Sequence, residues 1–412
     1  MDIKAKYHYT YFLNPFVISE EKYEDFLLRL IKDEKWNFRM FDKLADLEIY
    51  THFLTQTKKM LFPSFYWKDE YKNKIKNMNE TKMAKELKKV SCVEFVYDLN
   101  DDNIMQGKIE DKNHIFFEIG EIKLICFNTG ICFLMFKTNI NAEDSIHFRD
   151  LLNFNFKFKQ LSSAYAKYKP QDNIYIQTNR FETMESVTDF IKTITDGYVK
   201  LCNDDIYSDR MFVYSYACID ESDWNNETNF DDIKNNLYKY VFQFSGDYDS
   251  TIELSEEEYK DTIYSKWQYS KYGFSKLGGV VFSSAVDKFN YTNLPVHYEK
   301  VSLYIMLLAF YKRISLLTLD NRLINSTRKD INKIRARIDN EMYNTRFSQI
   351  TNSSHGMSLW KNWYRVFELE SLYNQLGKHY NVWLERIKDV KNDIIFGTII
   401  FILLLILGLN IL

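Results

Sequence analysis

Proline and glycine are scarce, at 4 and 12 residues in 412, which excludes collagen-like repeats and Pro/Gly-rich low-complexity chains. Cysteine is equally thin. Cys92, Cys126, Cys132, Cys202 and Cys218 are odd in number and none forms a C-x-x-C pair, so they read as small core residues in a reducing compartment. A block of Lys and Arg is missing, and the net charge is only -3, which argues against nucleic acid as a partner. Met1 to Thr10 has no apolar stretch of the kind a secretory signal needs, so the body is expected to stay in the cytoplasm.

Catalytic motifs are missing as well. Gly273 to Gly279 reads G-F-S-K-L-G-G and puts Gly279 where a phosphate-loop Lys belongs. Asp98, Asn100 and Asp102 alternate like the start of a calcium loop, but Asn103 replaces the obligatory Gly and no Glu stands at the twelfth position. The seven histidines are scattered, with no H-E-x-x-H, and there is no G-x-S-x-G elbow. Acidic pairs and runs at Asp204–Asp205 and Glu256–Glu258 are read as exposed faces or helix starts. No catalytic residue, metal site or cofactor is expected, and the chain is not read as an enzyme.

What the chain has is hydrophobic content of 46%, charge of 27%, and 30 Tyr with 32 Phe. The first two figures place it among folded globular proteins. The aromatic excess, alongside abundant Lys, Asn and Ile, matches the product of an AT-rich genome and is not evidence of function. From Met1 to about Asn290 both hydrophobic periods occur, as in an α/β or α+β unit. Strands are expected at Cys92 to Leu99, His114 to Ile119, Glu121 to Phe127 and Ile131 to Thr138, the last two joined as a hairpin through Asn128, Thr129 and Gly130. Asn141 offers an N-cap, with Asp144 three residues on, for a helix through Ile146, Leu151, Leu152, Phe154 and Phe158. Further strands are read at Ile174 to Gln177 and Met211 to Ile219, with a helix from about Met184 to Leu201 and a loop over Asp220 to Asp232.

After Pro295 the pattern is helical, giving a helical region over 291–356. Val301 to Leu319 is strongly apolar, but Lys312 and Arg313 interrupt it, and charges in hydrocarbon are costly, so it is read as a buried helix. The helix of about Arg328 to Phe347 keeps Ile331, Ile334, Ile338 and Met342 on one narrow face, making a hairpin with its predecessor. From Leu359 onward apolar residues recur at three- and four-residue steps through Trp363, Tyr373, Leu376, Tyr380, Trp383 and Ile387. This seam predicts a stalk helix over 357–393 that assembles copies of the chain, those six residues forming the contact.

Ile394 to Leu412 carries no charge and only Thr398 and Asn410 as polar side chains. Its rise of roughly 28 Å matches a hydrocarbon core of about 30 Å. Lys378, Arg386, Lys388 and Lys391 precede it, so the expected topology is a single pass through the cell membrane with the N-terminal body in the cytoplasm. If several copies meet, their anchors form a bundle around a pore.

The order of a mixed α/β unit, a helical hairpin and a stalk running into the membrane resembles the CorA-like family of divalent-cation transporters. That family ends its first membrane helix with Gly-Met-Asn, and Gly408, Leu409 and Asn410 stand at the corresponding place. The family has a second membrane helix after the signature, whereas this sequence ends at Leu412. Divergent CorA-like proteins also act as membrane effectors of prokaryotic antiviral systems, including CRISPR-associated ones, whose cytoplasmic domain is thought to sense a nucleotide messenger. The resemblance thus implies a homo-oligomeric effector or channel taking a divalent cation or a small nucleotide ligand, with Thr398, Gly408, Leu409 and Asn410 at the pore or signature. A scaffold that only localises a partner at the membrane is the alternative.

Deleting Ile394 to Leu412 should turn a membrane-bound protein into a soluble one with its body still folded, because that run alone supplies a charge-free length matched to the bilayer. Carbonate extraction checks this. Retention of the truncated chain in the membrane pellet would move the anchor elsewhere.

Overall fold

The computed structural model describes residues 3–99, 105–109, 115–141, 145–161, 174–178, 186–197, 210–249, 251–325 and 331–385. The chain forms two compact units, Met1–Tyr311 with Ser348–Phe367, and Lys312–Phe347 with Glu368–Leu412. This division interleaves the chain, where the sequence suggested successive segments with a boundary near residue 290.

The first unit is a mixed α/β body. Its described strands are β1 (Lys4–Val17), β2 (Trp36–Arg39), β3 (Cys92–Tyr97), β4 (Met105–Ile109), β5 (Ile115–Phe127), β6 (Ile131–Ile140), β7 (Ile146–His147), β8 (Ile174–Thr178), β9 (Phe212–Ile219), β10 (Ile263–Trp267), β11 (Ser270–Phe274) and β12 (Gly278–Ser284). They form one sheet in the order β10-β11-β12-β9-β1-β6-β5-β3-β2, with β4, β7 and β8 attached beside that path. All pairs are antiparallel except β9 with β12.

The expected hairpin is present. Cys126 pairs with Cys132, and Gly130 takes φ +87°, where a Cβ would lie 2.0 Å from the Ile18 carbonyl oxygen, so only glycine fits the turn. The two strands read either side of Gly120 are one strand, β5, with a bulge between Ile119 and Glu121. The bulge decides which side chains face which way. Before it Phe117 and Ile119 point into the main apolar core; after it Ile122, Leu124 and Cys126 do so, which turns Glu121 and Lys123 to the opposite face. Asn141 does not start a helix. Ile146 and His147 pair with Ala5 and Lys4 as β7, and the helix begins at Phe148.

Central to the sheet is β1, paired with β6 on one side and β9 on the other. Its even residues Phe12 and Phe16 enter the main core, against Phe154 and Phe158 of the helix Phe148–Phe158 and Phe26 of the helix Glu20–Lys32. Its odd residues Tyr7, Tyr9 and Tyr11 line the other face, where Tyr9 stacks on Tyr216 of β9.

That second face is covered by the first part, up to Tyr311, of a 31-residue helical run, Leu294–Ile324. Among the described residues it is the helix long and apolar enough to cross a membrane, yet its most apolar window is 83% buried inside the protein. Its first part packs in the body: Tyr298 stacks on Tyr214, Tyr311 on Phe127 at 4.0 Å, and Phe310 meets Phe133 and Phe212. Charged groups fix the register beneath it. Tyr304 Oη donates to Glu94 Oε2 at 2.7 Å, and Glu94 Oε1 accepts from Arg39, which also holds Asp46. Tyr11 Oη lies 2.7 Å from both Glu121 and Glu299, while Lys123 pairs with Glu121 and Lys137 with Glu299. A phenol has one proton, so Tyr11 donates to one carboxylate at a time. Burial works to raise the Glu121 carboxyl, but Lys123, Tyr11 and Lys137 bring it below the ordinary carboxylate range.

The second unit is helical, with the later part of Leu303–Ile324, the helix Ile331–Asp339 continued by a π-helical turn Asn340–Asn344, and a helix over 369–385. Its interior pairs charges. Lys312 Nζ meets Glu341 Oε1 at 2.7 Å with both side chains under 5% exposed, and Thr345 Oγ1 at 2.6 Å. Asp320 accepts from Gln375 at 2.8 Å and lies 2.6 Å from His379 Nδ1.

The continuous stalk expected over 357–393 is broken. The helix Ser354–Val366 stops, Glu368 takes φ +54°, and a new helix starts at 369. A non-glycine residue in the left-handed region ends a helix at a cost of about 1 kcal/mol, which surrounding structure must hold in place.

Phe310→Ala should lower unfolding stability by about 3–5 kcal/mol, since it removes a fully buried ring from between Phe133, Phe212 and Phe367. Urea unfolding of the wild type and variant measures this. A loss below about 1 kcal/mol would mean that the helix is not packed on the sheet as described.

Candidate functional site

Of the residues singled out from the sequence, Thr398, Gly408, Leu409, Asn410 and Ile387 lie outside the described residues. The other five do not form one seam. Trp363 is 2% exposed and packs in the body against Phe212, Phe274, Phe367 and the backbone of Gly279, where a Cβ would meet its ring at 2.6 Å. The side chain expected on the stalk seam is thus taken up inside the body, on the near side of the break at Glu368. Tyr373 and Leu376 are buried within the helical unit, where Tyr373 reaches Glu341 and carries Arg346 over its ring at 4.6 Å. Tyr380 and Trp383 stack on each other at 5.9 Å and remain half-buried.

The structure assembles a group that spacing alone did not reveal. Three of the scattered histidines, His52, His297 and His355, come together in the body. His52 ends the helix Leu47–His52, and His297 ends the turn Leu294–His297 that opens the long helical run. His355 stands in the first turn of the helix Ser354–Val366, whose N-cap Ser353 accepts from the Gly356 N–H at 3.2 Å. An isolated bridge between Phe53 and Thr351, with Thr351 Oγ1 donating to the His52 carbonyl at 2.6 Å, holds that helix start beside His52. A Cβ on Gly356 would come within 2.7 Å of His52 Nε2, so the imidazole approaches the backbone of the helix's first turn.

His52 and His297 have ring centroids 5.5 Å apart, and His297 Nδ1 is 2.8 Å from Glu48 Oε1. The β10–β11 hairpin supplies the remaining wall. Tyr264 stacks on His355 at 5.8 Å, while Trp267 and Tyr272 approach it edge-on at 4.9 and 5.1 Å. Trp267 is 45% exposed, and its neighbour Lys266 reaches Ser354 Oγ at 3.5 Å.

Four polar atoms in this cluster are buried with no hydrogen-bond partner among the described residues: His52 Nε2, both ring nitrogens of His355, and Tyr272 Oη. Buried polar atoms are normally satisfied, so a concentration of this kind marks a place built to meet something else. Burial pushes the His355 imidazole down to about 4, helped by His297, Lys266 and His52; burial followed by His297 does the same to His52. Both rings are neutral near pH 7, each with one N–H and one lone pair. Among the described residues no three His, Cys, Asp or Glu side chains are grouped so as to hold a metal ion. The arrangement therefore suits hydrogen bonding and aromatic contact. Nothing in the sequence links positions 52, 297 and 355, and only the pairing of the chain around Thr351 does so.

No protein-family model matches the chain, and no curated protein matches it either.

The depressed imidazoles set a direction for stability against pH. The unfolded chain takes up a proton on His355 near its ordinary value of 6.5, while the folded chain resists until about 4. Stability from this ring is thus complete above pH 6.5 and falls as pH drops towards 4. Between about pH 7.5 and about pH 5, His355→Asn should flatten the decline in unfolding free energy by about 2 kcal/mol. Urea midpoints across that range are the measurement, and an unchanged slope would place His355 in water.

Proposed function

We propose that the chain is a membrane-anchored effector: the α/β body binds a small ligand, the helical unit relays that event, and the segment Ile394 to Leu412 acts in the bilayer as a homo-oligomeric bundle. The observation that carries this reading is the fate of the long apolar helix. Leu294–Ile324 passes the length and composition test for a span, but its apolar surface is used up inside the protein, and Ile394 to Leu412 is then the apolar run left to meet lipid.

The layout of the chain supports a relay. A single helix, Leu303–Ile324, belongs to the body up to Tyr311 and to the helical unit from Lys312. The chain returns to the body at Ser348 and leaves it again at Glu368. Three covalent crossings join the two units, so a change in the body is transmitted along chain segments that lead towards the anchor. The resemblance to CorA-like effectors, carried by Gly408 to Asn410, suggests ion passage as the output and a nucleotide as the ligand. Tyr380 and Trp383, half-buried on the helix nearest the anchor, remain the contact residues for assembly.

The test is potassium release from liposomes holding the full chain, with and without cyclic adenine nucleotides added on the side of the body. The wild type should release potassium, and Asn410→Leu should insert equally well while losing release by about tenfold or more, because an apolar residue replaces the amide that faces ions or water. Insertion without any release in either protein would favour the scaffold, which only localises a partner.

A further inference from the structure

The histidine cluster, the hairpin wall and the start of the helix Ser354–Val366 have chemistry in common that the fold does not use. The helix is 13 residues long, and its first turn presents backbone N–H groups and the positive end of the helix dipole beside His52 and His355. Lys266 adds a fixed positive charge at Ser354, the residue that opens the helix. Against these stand one carboxylate, Glu48, already engaged by His297, and the phenols of Tyr264 and Tyr272. Counted together, the groups facing the cluster are donors or cations in excess, and His355 is nine-tenths buried with neither ring nitrogen partnered.

We propose that this cluster binds the phosphate group of a small ligand, with the first turn of the helix Ser354–Val366, Lys266, His52 and His355 as its donors and Trp267 as the side chain that must swing aside to admit it. The proposal rests on the reading of the body as a ligand-binding part and names where and what it binds. A phosphate dianion meets each unsatisfied group with an acceptor. It takes the N–H of a neutral imidazole at once and favours a second proton on it, so binding draws protons in. The aromatic wall of Trp267, Tyr264 and Tyr272 would take a flat organic group if the phosphate carries one. Trp267 is placed to act as a lid because it sits on the edge strand of the sheet, exposed on its outer side and covering His355 on its inner side. The site lies a few residues beyond Ser348, where the chain comes back from the helical unit, so its occupation bears directly on one of the three crossings.

The experiment is calorimetric titration of the full chain in detergent with inorganic phosphate and, separately, with AMP, against sodium chloride at matched ionic strength. Phosphate should bind, whereas sodium chloride at matched ionic strength should give no binding heat. Lys266→Gln and His355→Asn should each weaken it by about tenfold or more; Lys266 is exposed, so its variant keeps the fold and reports on binding alone. AMP binding more tightly than phosphate, with the gain lost in Trp267→Ala, identifies a ligand with an aromatic group, and equal affinities identify the phosphate group as the whole determinant. No heat from either probe, or affinities unchanged in both Lys266→Gln and His355→Asn, overturns the proposal. Membrane insertion and potassium release are read separately, so this failure leaves the effector reading standing.

Discussion

The packing of one apolar helix onto the polar face of the sheet is the contact on which the body depends. Leu294–Ile324 has the composition of a membrane span, and its part up to Tyr311 finds a matched surface on the sheet. Aromatic rings from β5, β6 and β9 meet Tyr298, Phe310 and Tyr311, and burying such rings is favourable by a few kcal/mol each. Rings alone would let the helix slide. The pairs of Tyr304 with Glu94 and of Glu299 with Tyr11 and Lys137 fix its position along the sheet, since a shift would leave a buried charge without its partner, the costlier outcome.

The polar face exists because of local geometry in β5. The extra residue at Gly120 turns Glu121 and Lys123 away from the apolar core, where either would be isolated, and towards Tyr11 and the helix. Beyond Tyr11 the same face carries the phenols of Tyr9, Tyr214 and Tyr216, which stack and reach backbone carbonyls of the segment leading into the helix. The tyrosine excess that composition alone left without meaning thus has a structural use. Tyrosine supplies ring area and a hydroxyl together, which suits a layer lying between a sheet and an amphipathic set of charges.

Two features bear on function through the path of the chain. The interleaving of body and helical unit means that neither is a contiguous segment, and Glu368 in a left-handed conformation marks one of the crossings. Separately, the return of the chain at Ser348 carries His355 to His52 and His297, making a cluster in which His52 Nε2 and both ring nitrogens of His355 have no partner among the described residues. Structural histidines in a core are ordinarily hydrogen-bonded. The departure from that rule, next to a helix start and an exposed lysine, is why the cluster and not the tyrosine layer is the candidate for ligand recognition.

Elements dictated by neighbouring residues were legible in the sequence: the β5–β6 hairpin with Gly130 at positive φ, the strands β3, β8 and β9, and a helix over Val301 to Leu319 that Lys312 and Arg313 mark as buried. Each rests on a local signal, a turn residue, an alternation or a charge inside an apolar run. The central strand β1 escaped because both its faces are covered, so its aromatic run shows no alternation, and Pro15 lies beyond the last residue paired with β9. The seam from Leu359 to Ile387 looked continuous because apolar spacing survives a helix break; what interrupts it is the conformation of Glu368, imposed by Trp363 and Phe367 seating in the body. Contacts across long sequence separations, such as His52 with His297 and Thr351 with Phe53, were decided by the tertiary structure alone. They are set by which surfaces bury together, and one chain's residue spacing does not encode that directly.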